Sequence, residues 1–249
     1  MEYMLTGKYA ILNDKNGNFV VRYNRGNEDM GVDAETETYT YDVFNRLTGY
    51  RKNDEPQVSY TYRADGKRKS KIVNGVETEF VWDGDNMIMS GTEKYSYGVG
   101  GIEFSDACTY VKDIHGNVIS GIDGEGNILS TYSYDSFGNV LKADGSMQTN
   151  PFRYCGEYTD TESGLIYLRN RYYDPSIGRF ITEDPIRDGS NWYIYCDNNP
   201  VMYVDPLGLY YLEKDKDGQV YAVIESGDTL SKISYSEVAD ANAYLDLNY

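Results

Sequence analysis

Two acidic residues, each followed by proline, stand 21 positions apart in this chain: Asp184 and Asp205. That interval matches the spacing of recurring aromatic residues upstream, so a repeating architecture would set neighbouring turns, and with them these two carboxylates, side by side. Two adjacent carboxylates cannot both ionise freely; one pKa rises and a proton is shared. The ionised member can activate a water while the other protonates a departing amine, the chemistry of an aspartic protease. The plainer reading is that both are Asp-Pro turn formers. Other chemistries are poorly supplied. The single histidine, His115, falls in a turn motif and reads as a solvated turn residue, which leaves no histidine for nuclease or triad chemistry. Cys108, Cys155 and Cys196 are odd in number and lack a C-x-x-C pair, so buried free thiols fit better than a disulfide framework or a zinc site. No cofactor and no metal site is expected.

The elements that must position the two acids are read as short strands. Tyrosine dominates the aromatics, 27 against 7 Phe, and Tyr favours half-buried strands, where the ring packs and the hydroxyl finds a partner. Residues 8–23 read as strand, turn and strand around Asp14-Lys-Asn-Gly17, a hairpin loop ending in a bulge. Residues 24–38 are acidic and poor in apolar side chains, and read as an exposed linker. From Tyr39 the pattern repeats: Tyr41, Tyr62 and Trp82 occupy equivalent places at steps of 21 and 20 residues, the mark of stacked supersecondary units. The series continues through 94–104 and then through DIHGN (113–117), DGEGN (123–127) and DSFGN (135–139), each followed by Val or Ile. Spacings of this size predict a meander of short hairpins. A calcium loop needs acids at alternating positions closed by a Glu, and none of these runs supplies them.

Residues 150–209 are the densest block of Tyr, Gly, Arg and Asp-Pro. The runs GLIYLRNRYYDPSIGRFITEDP, YCDNNPVMYVDP and DPLGL closely resemble the Rhs repeat-associated core, the module that closes YD-repeat shells in bacterial polymorphic toxins. Upstream, YTYDVFNRLTGY and TYSYDSFGNVL resemble the YD repeats of the same family, so the likeness covers roughly residues 39–209. It implies a mainly β fold: stacked antiparallel hairpins forming an open curved or spiral sheet, closed by the core, with a small α/β tail. The division expected is 1–38 (hairpin and acidic linker), 39–149 (YD repeats), 150–209 (core) and 210–249 (variable tail). In self-cleaving members the corresponding Asp-Pro motifs form an aspartyl self-protease that cuts after DPxGL. Carried over, this makes Asp184 and Asp205 the pair, Arg179 a supporting residue and Leu209–Tyr210 the scissile bond. The upstream motif departs from the family pattern, with Arg187 where relatives commonly carry Gly. Arg169 and Arg171, set in an acidic chain, are expected to pair with Asp or Glu inside the fold.

The tail begins as a second hairpin around Asp215–Gly218. Its VIESGDTLSKIS run is similar to the opening of a LysM peptidoglycan-binding repeat, with Asp228 or Thr229 placed to cap a helix. Forty residues without His or Cys rarely hold both a core and a catalytic site. A net charge of −17 argues against nucleic acid or an anionic membrane surface as partner, and no apolar run is long enough to span a bilayer. No signal peptide is evident at MEYMLTGKYA, although the resemblance implies an extracellular or cell-surface setting. Three functions stand open. The first is a structural shell or cap segment that encloses or presents a C-terminal segment, its partner being that segment or another YD-repeat chain. The second is a surface glycan or cell-wall binding module, and the third an inactive remnant of a longer gene.

Overall fold

A computed structural model describes residues 3–6, 9–24, 26, 33–148, 150–185, 191–209, 212–214 and 220–222. Among these the chain builds one sheet of 15 strands in strict sequence order. It opens with β1 (Tyr3–Thr6), β2 (Tyr9–Asn13), β3 (Phe19–Asn24), β4 (Glu35–Tyr41) and β5 (Leu47–Lys52). It continues with β6 (Val58–Tyr62), β7 (Arg68–Val73), β8 (Val76–Asp83), β9 (Asn86–Ser90) and β10 (Glu93–Gly98). The last five are β11 (Gly101–Ser105), β12 (Thr109–Lys112), β13 (Val118–Ile122), β14 (Ile128–Tyr134) and β15 (Val140–Gly145).

Turn chemistry explains the meander. In the turns that start at Asp14, Asp42, Asp113, Asp123 and Asp135, the leading carboxylate accepts the backbone N–H groups two and four residues on. Where the fifth residue is Asn (Asn18, Asn117, Asn127, Asn139), its side-chain amide donates to the other carboxylate oxygen. The fourth position is left-handed in each turn, as at Gly116 (φ 86°), and Asn45 (φ 61°) fills that place in DVFNR, a conformation that Asn tolerates better than most residues. The expected bulge follows: strand register shifts at Leu12/Asn13, Thr40/Tyr41, Thr61/Tyr62, Val81/Trp82, Val111/Lys112 and Ser133/Tyr134.

Tyr62, Trp82, Tyr97 and Tyr134 each sit just past a bulge and tie their hairpin to the one before it, whereas the Tyr41 hydroxyl has no partner among the described residues. Tyr62 donates to Leu47 O at 2.6 Å, the Trp82 indole to Arg68 O at 2.8 Å, Tyr97 to Met87 O at 3.1 Å and Tyr134 to Val118 O at 2.7 Å. Phe cannot make this bond, which gives the Tyr excess a physical cause.

One expectation is corrected at the start of the repeats. The acidic stretch read as linker ends in strand, because β4 begins at Glu35. Glu37 is buried, paired with Arg22 and hydrogen-bonded by Tyr39 and Tyr50. A buried carboxylate served by one guanidinium and two phenols has no reason to stay in a loop. The boundary drawn at 38/39 therefore falls inside β4.

The described residues of 150–209 form a plug against the concave face of the sheet. Its frame is a second antiparallel sheet of four strands, β16 (Tyr158–Asp160), β17 (Leu165–Leu168), β18 (Arg171–Asp174) and β19 (Arg179–Phe180). Every residue of β16, β17 and β18 is buried. Aromatics from the two layers meet edge-on or tilted: Tyr60 with Tyr172, Phe80 with Tyr158, Trp82 with Tyr167 and Tyr95 with Phe152.

The turns joining β2–β3, β6–β7, β8–β9, β12–β13 and β14–β15 lie on one rim of the sheet, and that rim encircles the plug. Gly17 O accepts from Tyr193 (2.6 Å), Arg68 N donates to the Tyr167 hydroxyl (2.9 Å), and Asp85 O accepts from Arg169 (3.0 Å). Asn117 Oδ1 accepts from Cys155 N (2.8 Å), and Phe137 O accepts from Tyr173 (2.8 Å). The ring returns on itself at Asp174–Ser176. There Arg22 from β3 pairs with Asp174 and Ser176, while Asn139 from the turn before β15 donates to Pro175 O at 2.9 Å. The curved open sheet expected from the repeats thus wraps its plug by about one circuit.

His115 is half-buried with its ring against Tyr154, not simply solvated, because its turn is one of those pressed onto the plug. The three cysteines are buried thiols. In the tail, β20 (Leu212–Lys214) pairs antiparallel with β21 (Val220–Ala222), the hairpin expected there. The LysM-like run, with the helix expected in it, lies outside the described residues.

Candidate active site

Arg171 opens β18, and its side chain is enclosed by the segments that follow the plug sheet. Phe180 lies under the guanidinium at 3.6 Å. Nη1 donates to Trp192 O at 3.2 Å and Nε to Gly208 O. Nη2 stands 3.3 Å from Asp184 Oδ2 and 3.8 Å from Asp205 Oδ2. The two acids therefore share one nitrogen, and their Oδ2 atoms are no farther apart than those two distances combined.

The reason they meet differs from the one expected. Asp184 and Asp205 are not in successive turns of the repeat spiral. Each lies in an irregular segment of the plug, and both segments fold back onto β18. Asp184 is fixed by its backbone N–H on Trp192 O (2.9 Å). Asp205 is fixed by its own turn: Oδ1 accepts from Gly208 N at 2.7 Å and from Leu209 N at 3.2 Å. The carboxylate is thus bonded to the peptide group on the amino side of the Leu209–Tyr210 junction. Arg187, Gly189 and Tyr210 lie outside the described residues.

The environments of the two acids differ. Asp205 is buried, and burial raises its pKa from the ordinary 3.8 to about 7. Arg171 and the two N–H donors act against that rise, and the charge of Asp184 adds to it. The Asp184 side chain keeps 16% of its surface exposed, against 4% for Asp205. One carboxyl is therefore poised to hold a proton near neutrality beside a more open partner, the asymmetry that separates acid from base roles. Burial also pushes the neighbouring Cys196 thiol far above its usual range, with Asp205 adding to the shift, so that thiol is protonated and not a nucleophile.

Arg179, carried over as a supporting residue, is placed elsewhere: its Nη1 donates to Asn191 Oδ1 at 3.2 Å. The cation between the acids is Arg171. The sequence marks Arg169 and Arg171 as carboxylate partners, which they are, Arg169 binding Glu157. The sequence does not show that the partners of Arg171 are the two Asp-Pro acids. The signal for it is a charged residue in a strand run, directly followed by Tyr172 and Tyr173, whose rings are buried beside it.

Comparison with known proteins agrees with this architecture. Residues 108–201 match the family model described as Teneurin YD-shell. The tRNA3(Ser)-specific nuclease WapA of Bacillus spizizenii is 38% identical over 194 residues, and the tRNA nuclease WapA of Bacillus subtilis strain 168 is 37% identical over 194 residues. Each match covers 69% of this chain but 8% of the relative. The crystal structure of TcdB2-TccC3 superposes with a TM-score of 0.55 at 18% identity, over 81% of this chain and 14% of that one. The chain thus spans a small fraction of the length of the proteins it resembles, and the likeness to the solved structure is one of fold. Hairpins stacked around a core plug define a YD-shell segment. The chain is an Rhs/YD-repeat protein.

Proposed function

We propose that this segment caps a YD-repeat shell, presents the chain that follows Leu209, and cuts that chain at Leu209–Tyr210 by aspartyl self-proteolysis. The observation that supports the reading is Asp205: it shares Arg171 with Asp184 and also accepts a hydrogen bond from the Leu209 amide, on the amino side of the proposed cut. In the reaction, Asp184 as carboxylate takes a proton from a water whose oxygen attacks the Leu209 carbonyl carbon. Asp205 as carboxylic acid gives its proton to the Tyr210 nitrogen. The C–N bond breaks, leaving a Leu209 carboxylate and a Tyr210 amine. Arg171 holds both acids in register and offsets the charge that they share.

The ring of turns around the described residues of 150–209 supports the capping role, and the partner of the cap is the chain's own segment beyond Leu209. Intact mass spectrometry of the wild type beside Asp205→Asn tests the cut. The expected outcome is fragments 1–209 and 210–249 for the wild type and one intact chain for the variant. A wild type that stays whole for days at neutral and mildly acid pH removes the protease from this reading and leaves the cap.

A further inference from the structure

The DPLGL segment is gripped by three successive residues of a single hairpin: Arg169 and Asn170 of the turn joining β17 and β18, and Arg171, which opens β18. Arg169 Nη1 donates to Pro206 O at 2.8 Å. Asn170 donates to Leu207 O through Nδ2 at 3.0 Å and through its backbone N at 3.3 Å. Arg171 Nε donates to Gly208 O. Three consecutive residues thus hold three consecutive carbonyls, and the next carbonyl in that row belongs to Leu209.

Arg169 takes its own orientation from elsewhere. Its guanidinium pairs with buried Glu157, and its Nε donates to Asp85 O, in the turn between β8 and β9, at 3.0 Å. Its backbone is left-handed, φ 56°, a conformation that costs a non-glycine residue about 1 kcal/mol. Glycine would fit that turn position better, and such strain persists only where the surroundings over-determine it. Here the surroundings are the three partners of the side chain. The approach is close on the other side too: a side chain at Gly208 (φ 67°) would put its Cβ 2.8 Å from Leu168 O.

We propose that Arg169 and Asn170 are positioning residues for the junction, and that Arg169 makes this positioning depend on docking of the β8–β9 turn. The proposal rests on the self-cleavage reading for its functional meaning. Cleavage then follows closure of the repeat sheet around the plug, because a chain whose sheet has not closed lacks the Asp85 carbonyl that aims Arg169.

The test has two readouts. In an Asp184→Asn background, which stays uncut, hydrogen exchange of the amides at 207–209 is compared with and without Arg169→Gly/Glu157→Gln. That pair relieves the backbone strain and leaves no unpaired buried charge. Exchange at 207–209 is expected to rise at least about tenfold while β17 and β18 stay protected, and Asn170→Ala, at an exposed position, is expected to act in the same direction. With Asp184 present, the same variants are expected to slow cleavage by about ten- to a hundredfold, since small misplacements of a reacting group cost that much. Inserting one glycine after Gly84, which displaces the Asp85 carbonyl, is expected to reproduce both effects. Unchanged exchange in the Arg169 and Asn170 variants overturns the clamp, and an insertion without effect overturns the coupling. A wild type that never cuts counts against the protease alone, because the exchange readout judges the clamp without it.

Discussion

The Arg68 guanidinium and the Asp160 carboxylate pair across the two layers with no solvent-exposed surface on either side chain. Arg68 lies within 6.0 Å of five aromatic ring centres, those of Tyr60, Phe80, Tyr158, Tyr167 and Tyr172. Lys71 reaches the other carboxylate oxygen at 3.2 Å. This pair joins β7 to β16, so it fixes where the sheet sits on the plug. Removing one partner strands a buried charge, and Asp160→Leu alone should cost roughly 3–5 kcal/mol of unfolding free energy. The double variant Arg68→Met/Asp160→Leu should recover most of that loss. Denaturant melts of the two variants check it, and a double variant no better than the single would show that the pair contributes by net attraction instead.

Asp205 predicts a pH dependence of stability. Its folded pKa, about 7, lies above the ordinary 3.8. Between roughly pH 4 and 7 the folded state holds a proton that the unfolded state has lost, so this group makes stability fall as pH rises through that window and level off above it. Asp205→Asn should lack this slope. The quantity to measure is the difference between wild-type and variant unfolding free energy from pH 4 to 8. A difference that stays flat would show that Asp205 titrates normally.

The same proton bears on cleavage. If Asp205 is the acid, the cutting rate should decline above about pH 7 as that carboxyl ionises. Rates of appearance of fragment 210–249 at pH 6, 7 and 8 give the profile. A rate that rises steadily with pH would assign the acid role to another group.

Turns of like sequence should differ in worth according to the rim they occupy. The Asp113 turn presses on the plug, with Asn117 accepting the Cys155 amide and the His115 ring against Tyr154. The Asp123 turn lies on the opposite rim, and residues 124–127 are exposed. Asp113→Ala should therefore cost about 1–3 kcal/mol and Asp123→Ala distinctly less. Paired thermal melts decide the order.

The staple between hairpins gives a fourth comparison. Tyr62→Phe removes the hydroxyl bound to Leu47 O and keeps the ring, with an expected cost of about 1 kcal/mol. Exposed Phe44→Tyr should change nothing measurable.

The repeats were legible because their determinants are local. An Asp that collects its own turn's N–H groups, a left-handed fourth residue and a Tyr or Trp past the bulge can all be read within a dozen residues. Only the end of the run 24–38, from Glu35, departs from the reading, because acidity signals solvent only when no cation waits for it, and Arg22, the partner of Glu37, belongs to the preceding strand; residues 25 and 27–32 lie outside the described residues. The acids at 184 and 205 were identifiable from their Asp-Pro context, but the residue between them was not. Arg179 and Arg171 look alike in sequence, and only folding of two irregular segments onto β18 distinguishes them. The grip on DPLGL was hidden for the same reason, since its acceptors are main-chain carbonyls that carry no sequence mark.

The circuit that closes at Asp174–Ser176 has a consequence for biosynthesis. Arg22 and Asn139 find their partners only after residue 174 has left the ribosome. Until then the aromatic face that the nascent hairpins turn toward the plug lacks the plug residues that bury it. Contacts this distant in sequence form slowly, and exposed edges and apolar faces invite association with other chains in the interval. The hairpins must therefore remain soluble through translation of the whole plug, a demand that the large surplus of acidic residues, 40 against 23 basic, is suited to meet by mutual repulsion.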